Sequence, residues 1–437
     1  MAKKKQDLSP EERLAAALVP EEEWPYALPD GWNWVRIGAL NDYQSSSITP
    51  STNPDDTFEL YSVPSIVNDY PEITKGMDIG STKQLVEKDD VLLCKINPRI
   101  NRVWKVSAHT THKCLASSEW IVVRARSFFA SDYLMWFFRC PYFRERMLSN
   151  VSGVGGSLMR AKPRYVQTYP VALPPLSEQH CLVARIESLF AKLDAAKEKV
   201  QSVLDSHENR KAALLHDAFA GKLTAKWRRE QGLSLNVWRI EKLENLCEKI
   251  TCGKTPKNDI APQGEIPYLK VYNIVNDEID FQSKPQYIPR DVHETKLQSS
   301  KLKPNDVVMN IVGPPLRKIA VIPDTYPEWN MNQAIVRFRP KADLNYRFLY
   351  YALLNPETLD DVIQKTKGVV GQANISITQS RNLKIKLPSL PEQQEIVRIL
   401  DRLLAREQRA RQAAEETLAA IDRMKQAILA RAFRGEL

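Results

Sequence analysis

The chain contains itself twice. Leu173-Pro174-Pro175-Leu176-Ser177-Glu178-Gln179 returns 214 residues later as Leu387-Pro388-Ser389-Leu390-Pro391-Glu392-Gln393. Ala218-Phe219-Ala220-Gly221-Lys222-Leu223 returns at the same displacement as Ala432-Phe433-Arg434-Gly435-Glu436-Leu437, so no insertion separates the two landmarks in either copy. Upstream the match is looser. Val63, Ile66, Val67, Asn68 and Asp69 answer to Val271, Ile274, Val275, Asn276 and Asp277, and Asp90-Val91 answers to Asp306-Val307, at displacements of 208 and 216. Each half is therefore a divergent body of about 150 residues followed by a well-matched tail. This divides the 437 residues into an N-terminal segment 1–23, a first body 24–176, a central helix and linker 177–236, a second body 237–390 and a C-terminal helix 391–437.

The tails carry a heptad stripe. In the first, Leu182, Ile186, Leu189, Leu193, Ala196, Val200, Val203, His207, Arg210 and Leu214 alternate in steps of four and three. The second repeats the register with Ile396, Leu400, Leu403, Glu407, Ala410, Ala414, Thr417, Ile421, Met424 and Ile428. Neither tail has proline or glycine between its landmarks, which predicts one helix of ~40 residues, about 60 Å, in each. A single amphipathic stripe packs as readily on its own domain as on a partner helix. Two matched narrow seams suit a coiled coil, and the obvious partner is the other copy. Ala195, Ala196, Ala410, Ala413 and Ala414 permit close approach. His207, Arg210 and Glu407 interrupt the seams, and the sequence does not say whether they meet.

The bodies read as α+β. Val91-Leu92-Leu93-Cys94 and Val307-Val308-Met309 have the pattern of buried strands, with Ile121-Val122-Val123 and Ala334-Ile335-Val336 as their neighbours. Tyr133 to Leu148 and Tyr346 to Lys365 are helical patches. After each first strand comes a turn-rich basic loop. In the first body it holds Lys95, Asn97, Arg99, Asn101 and Arg102; in the second, Asn310, Arg317 and Lys318. A second candidate loop holds Arg160, Lys162 and Arg164 behind glycines 153, 155 and 156, and corresponds to Lys365, Lys367, Gln372 and Asn374. Arg pairs with guanine and Asn or Gln with adenine in the major groove, while Lys and Arg neutralise phosphate. For any one of these residues a solvated loop charge is an equal reading; as a group they point to DNA.

Several classes of chemistry find no support. The nearest approach to an amino-methyltransferase turn is Asn97-Pro98-Arg99-Ile100, which lacks the second proline and the aromatic residue. Gly153-x-Gly155-Gly156 is too short for a dinucleotide fingerprint, and no P-loop is present. Pro54-Asp55 and Pro323-Asp324 lack the downstream Glu-x-Lys of a metal nuclease. Six cysteines include no second pair to complete a zinc site with Cys247 and Cys252, so no metal is expected. Lys plus Arg number 62 against 53 Asp plus Glu, a mild excess compatible with a polyanion. The start, with Lys3, Lys4 and Lys5, lacks the apolar stretch of a signal peptide, and no run approaches the ~18 residues of a membrane span, which predicts a cytoplasmic protein.

The Leu-Pro-x-Leu-x-Glu-Gln helix entries, the Phe-x-Gly-x-Leu endings and the opening Leu28-Pro29-Asp30-Gly31-Trp32 before Trp34-Val35-Arg36-Ile37 form an ordered set, most of it repeated once. Over nearly the whole chain this set resembles the specificity (HsdS) subunit of type I restriction-modification enzymes. The resemblance implies two target recognition domains, each reading half of an asymmetric, interrupted double-stranded DNA sequence. It implies two long antiparallel coiled-coil helices between them as a spacer, with a pseudo-two-fold internal repeat. It further implies two methyltransferase (modification) subunits that use S-adenosylmethionine to methylate adenine, and restriction/translocase subunits that complete the complex. On this reading the chain is a non-catalytic DNA-recognition subunit and binds no cofactor itself. Half-sites read from one side lie about one duplex turn apart, near 34 Å. The alternatives are a stand-alone methyltransferase or nuclease, and a coiled-coil scaffold without DNA specificity, which would lack a steep salt dependence.

Overall fold

The structure, a computed structural model, describes residues 8–152, 159–234, 237–366 and 374–437. It divides into two units, residues 1–201 with 416–437, and residues 202–415. Both dividing points fall inside the tails, so each unit combines one body with the near end of its own tail and the far end of the other.

In the first unit, Val91–Cys94 is the central strand of a three-stranded antiparallel sheet, flanked by Val103–Lys105 and Trp120–Val123. Its alternation divides two cores. Val91 and Leu93 face the main core of the unit, whereas Leu92 and Cys94 pack with Trp104 and Trp120. A five-stranded sheet lies alongside, in which Thr57–Tyr61 pairs in parallel with Lys113–Ala116. The second unit repeats the plan. Val307–Asn310 sits between Ile319–Val321 and Ile335–Pro340 in a four-stranded sheet, and Ile266–Leu269 pairs in parallel with Trp329–Met331 in another. The strands expected at Ile121-Val122-Val123 and Ile335-Val336 are the neighbours of the central strands.

Each expected helical patch is two helices. Ser131–Arg139 gives way at Cys140 to Pro141–Ser149, and Tyr346–Leu354 gives way at Asn355 to Pro356–Thr366. Proline cannot donate to the preceding turn, and it forces the residue before it out of the helical region. At the N-terminus Pro10–Ala17 forms a helix with a Ser9/Glu12 capping box. Arg13 reaches Asp42 at 2.5 Å and Leu18 bridges Val35, so this segment is packed on the first body.

The second tail is one helix of 43 residues, Leu390–Ala432. The first tail is not continuous as the periodicity predicts: Leu176–Asp205 and His207–Phe219 are separated at Ser206. There the Ser206 hydroxyl donates to the Ser202 carbonyl at 2.7 Å, and the Arg210 guanidinium donates to Val203 O at 3.1 Å. Side chains that engage helix carbonyls in this way bend helices. Within the first unit Lys197 pairs with Asp422 at 3.2 Å and Asp194 with Lys425 at 2.5 Å, so the two helices run in opposite directions there. Within the second unit two of the three polar seam residues left unassigned by the sequence meet, Arg210 Nε lying 2.7 Å from Glu407 Oε2.

The seam itself is partly displaced. Leu182, Ile186, Ile396, Leu400 and Ile421 are buried, and Leu189, Leu193, Val200, Leu403 and Ile428 are half-buried. Val203 and Met424, placed on it by the heptad count, are 36 % and 51 % exposed. A straight helix drifts about 20° per heptad from a strict 3.5-residue repeat, and near the tail ends Leu215, Phe219, Leu429 and Phe433 take the buried positions instead.

The repeated Glu-Gln dipeptide locks each tail to its body. Gln179 accepts from the Ala130 N–H at 2.8 Å and donates to Pro174 O at 2.9 Å and Phe128 O at 3.0 Å. Gln393 does the same with Asn345 N–H, Pro388 O and Asp343 O at 2.8, 3.0 and 3.1 Å. Each glutamate accepts from an indole, Glu178 from Trp32 and Glu392 from Trp238, both at 2.9 Å. Gln393 is 1 % exposed. Replacing it with leucine strands a backbone N–H and two carbonyls, so Gln393→Leu lowers the stability of the second unit by about 1–3 kcal/mol in urea unfolding. A loss below about 0.5 kcal/mol contradicts the locking role.

Candidate nucleic-acid interface

The two candidate loops that the sequence presents separately are paired in space. In the first unit the chain leaves Val91–Cys94 and turns through Asn97, which adopts a left-handed φ of 46°. Asparagine tolerates that region better than most residues. Asn97 N–H donates to Met159 O and Ala161 N–H to Lys95 O, both at 2.8 Å, and Ile96 bridges Arg160. In the second unit Ile375 N–H donates to Ile311 O at 2.9 Å and Val312 bridges Asn374. Equivalent strands thus project equivalent loop pairs in both units.

Within these loops the predicted residues divide by task. In the first unit Lys95 is half-buried and Arg99 exposed. Asn101 Nδ2 donates to Phe138 O at 3.1 Å and Arg102 folds back on Ile96 O at 3.4 Å, so both shape the loop. Arg160 is held by Glu119 at 3.3 Å but remains 45 % exposed. Lys162 and Arg164 flank the Tyr165 ring at 5.8 and 4.8 Å. These contacts orient two cations at low entropic cost and leave their charge open to an anion.

In the second unit Asn310 departs from the expectation of a base contact. It is 0 % exposed, its Nδ2 donating to Val312 O and Pro315 O at 3.2 and 2.7 Å while its Oδ1 accepts from Lys318 N–H at 2.8 Å. It staples the loop from within. The turn also requires Gly313, since a Cβ there would lie 2.9 Å from Leu316 N. Arg317, with a φ of 72°, is ion-paired with Asp360. Lys318 is half-buried and Asn374 exposed. Lys365 belongs to the helix Pro356–Thr366, and Lys367 and Gln372 lie outside the described residues.

A third basic loop escaped the sequence reading. The strand Cys247–Cys252 ends at Gly253, where a Cβ would meet Met331 O and Asn332 O at 2.2 Å, and the chain then passes through Lys254, Thr255, Pro256 and Lys257. With Lys296 these residues line a cavity of about 420 Å³. The signal was a Gly-Lys-Thr-Pro-Lys run, a turn with two cations, unremarked because it follows a different strand.

Burial pushes the Cys140 and Cys247 thiols up to about 12 and the Cys114 thiol up to about 11. His293, Glu294 and Glu328 cluster in the second unit. Their carboxylates are committed to Lys301 and Arg290, and Asn330 Nδ2 lies 3.0 Å from His293 Nδ1, which leaves the proton on Nε2. Burial, the largest cause, lowers the His293 pKa, and the group reads as a neutral core histidine beside ion pairs. Among the described residues no helix is long and apolar enough to cross a membrane.

Four similarities bear on this arrangement. Residues 236–416 match the type I restriction modification DNA specificity domain. The specificity subunit of the type I restriction enzyme EcoKI of Escherichia coli (strain K12) is 23 % identical over 359 residues, 81 % of this chain and 76 % of that protein. Among solved structures, a chain from work on complex assembly and conformational transition of the type I R-M system superposes with a TM-score of 0.78 at 23 % identity, over 94 % of this chain and all of that one. The HsdS subunit of Thermoanaerobacter tengcongensis superposes with a TM-score of 0.64 at 23 % identity, over 95 % of this chain and all of its own.

Proposed function

We propose that the chain is a type I restriction-modification specificity subunit and that it reads an asymmetric, interrupted double-stranded DNA sequence for partner enzymes. Each unit reads one half-site through its paired loops, and the long helices set the gap. The observation that carries this reading is the repetition of a basic loop pair on the equivalent strand of two homologous bodies in one chain. Because the loops differ in composition, the two half-sites differ in sequence. Lys95, Arg99, Lys162 and Arg164 engage phosphate or guanine in the first unit; Lys318 and Asn374 serve the second. A well-formed bidentate contact discriminates between bases by about 1–3 kcal/mol.

The chain itself is non-catalytic and holds no cofactor. Two methyltransferase subunits dock on it and supply S-adenosylmethionine-dependent adenine methylation, and restriction/translocase subunits complete the complex. The protein works in the cytoplasm, where its DNA lies.

The test is salt. Assembled with its methyltransferase subunits and titrated with target duplex, the chain binds DNA with an affinity that falls linearly on a logarithmic salt scale, with a slope of about −0.9 for each phosphate contacted. Lys162→Ala with Arg164→Ala makes that slope shallower by about 2. A flat salt response identifies a protein scaffold and rejects the proposal.

A further inference from the structure

The first unit holds an open pocket of about 490 Å³ lined by the rings of Trp136 and Phe190 and by Arg99, Arg139, Arg144 and Lys425. Lys425 lies 5.0 Å over the Phe190 ring and is paired with Asp194. Arg139 lies 5.0 Å over the Trp136 ring and donates to Val103 O at 2.8 Å. Arg144 reaches only the Gln426 amide, at 3.5 Å. Among the described residues Arg99, Arg139 and Arg144 form no ion pair. Four cations therefore line this cavity, with Asp194 paired to Lys425 and Asp69 acting on Arg139 without an ion pair.

The internal repeat shows that this is not a general feature of the fold. Pro356 follows Pro141 by 215 residues at the same helix joint, and at that displacement Arg139 and Arg144 become Leu354 and Leu359. Both leucines pack into the core of the second unit. Lys425 answers to Lys211, 214 residues earlier, and each is paired within its own unit, Lys425 with Asp194 and Lys211 with Asp277, both at 2.5 Å. The second copy fills the places of both arginines with leucines. The first copy leaves it open, aromatic and cationic.

We propose that this pocket docks an acidic segment of a partner protein, seating an apolar side chain against Trp136 and Phe190 and bringing carboxylates to Arg139 and Arg144. The inference rests on the functional reading above, which identifies that partner as a methyltransferase subunit. The arginines that form no ion pair, and that the second unit replaces with leucines, argue for a carboxylate. The aromatic lining argues for protein over DNA, because a duplex backbone presents phosphate and sugar on a convex surface and has no apolar group to fill a recess of this size. Removing both the aromatic surface and the charges from water requires a ligand that satisfies both.

The test uses the full-length chain and purified methyltransferase subunit, with association followed by sedimentation and DNA binding measured separately. Arg144→Glu reverses a rim charge. Gln426→Glu offers Arg144 an internal carboxylate in place of the partner's. Each weakens association about tenfold or more, with unchanged thermal melting of the chain, while Arg144→Lys stays close to wild type. Association within about twofold of wild type for both acidic variants overturns the inference and leaves the functional reading standing. Loss of DNA affinity with intact association also overturns it, and reassigns the pocket to phosphate. A wild-type chain that takes up no methyltransferase removes the functional reading, and this inference with it.

Discussion

Phe433→Ala lowers the stability of the first unit by about 3–5 kcal/mol, although Phe433 lies nearly 300 residues along the chain from the side chains it touches. Its ring is 1 % exposed and meets Tyr133 and Phe137 edge-on at 5.3 and 5.0 Å, and Tyr26 donates to its carbonyl at 3.1 Å. The repeat supplies the mirror experiment. Phe219 ends the first tail, sits in the core of the second unit and contacts Phe348 at 5.3 Å. Phe219→Ala therefore destabilises the second unit by a similar amount. Because each unit has its own core, each variant moves one unfolding transition and leaves the other near its wild-type position. A change below about 1 kcal/mol in both variants would show that the tail ends are not integral to the cores. On the proposed function, Phe433→Ala costs recognition of the half-site read by the first unit.

The second large effect concerns the proposed spacer. Removing one heptad from each tail, residues 196–202 and 410–416, keeps the two copies at a single displacement, shortened from 214 to 207, and preserves the order of apolar positions. Seven residues of helix span about 10 Å and a base pair about 3.4 Å, so the gap between half-sites shortens by up to about three base pairs. Methylation of the original motif falls to background and a motif with a shorter gap replaces it, both half-sites unchanged. Altered half-site letters with an unchanged gap would show that the tails do not set the spacing.

How much of this was legible follows from where each cause lies. The locking role of Gln179 and Gln393 was marked by the repeat, because both the residue and its surroundings were retained in each copy. The joints at Pro141 and Pro356 were written in the chain, but continuous apolar periodicity across them hid the break. Ser206 could not be found from spacing, because its bend comes from side chains competing for carbonyls. Asn310 has the composition of a base reader, yet residue type carries no information about which way a side chain turns, and this one turns inward. The cationic pocket assembles residues 99, 139, 144 and 425, which only folding brings together, and its asymmetry emerges only when Arg139 and Arg144 are set beside Leu354 and Leu359.

The central claim is that one chain holds two unlike DNA readers in fixed relation, and the most direct measurement is the adenine methylome of cells that express it with its methyltransferase partners. The account predicts one motif made of two different short sequences separated by a constant run of unspecified bases. A continuous motif, a gap of variable length, or methylation independent of this chain would contradict it.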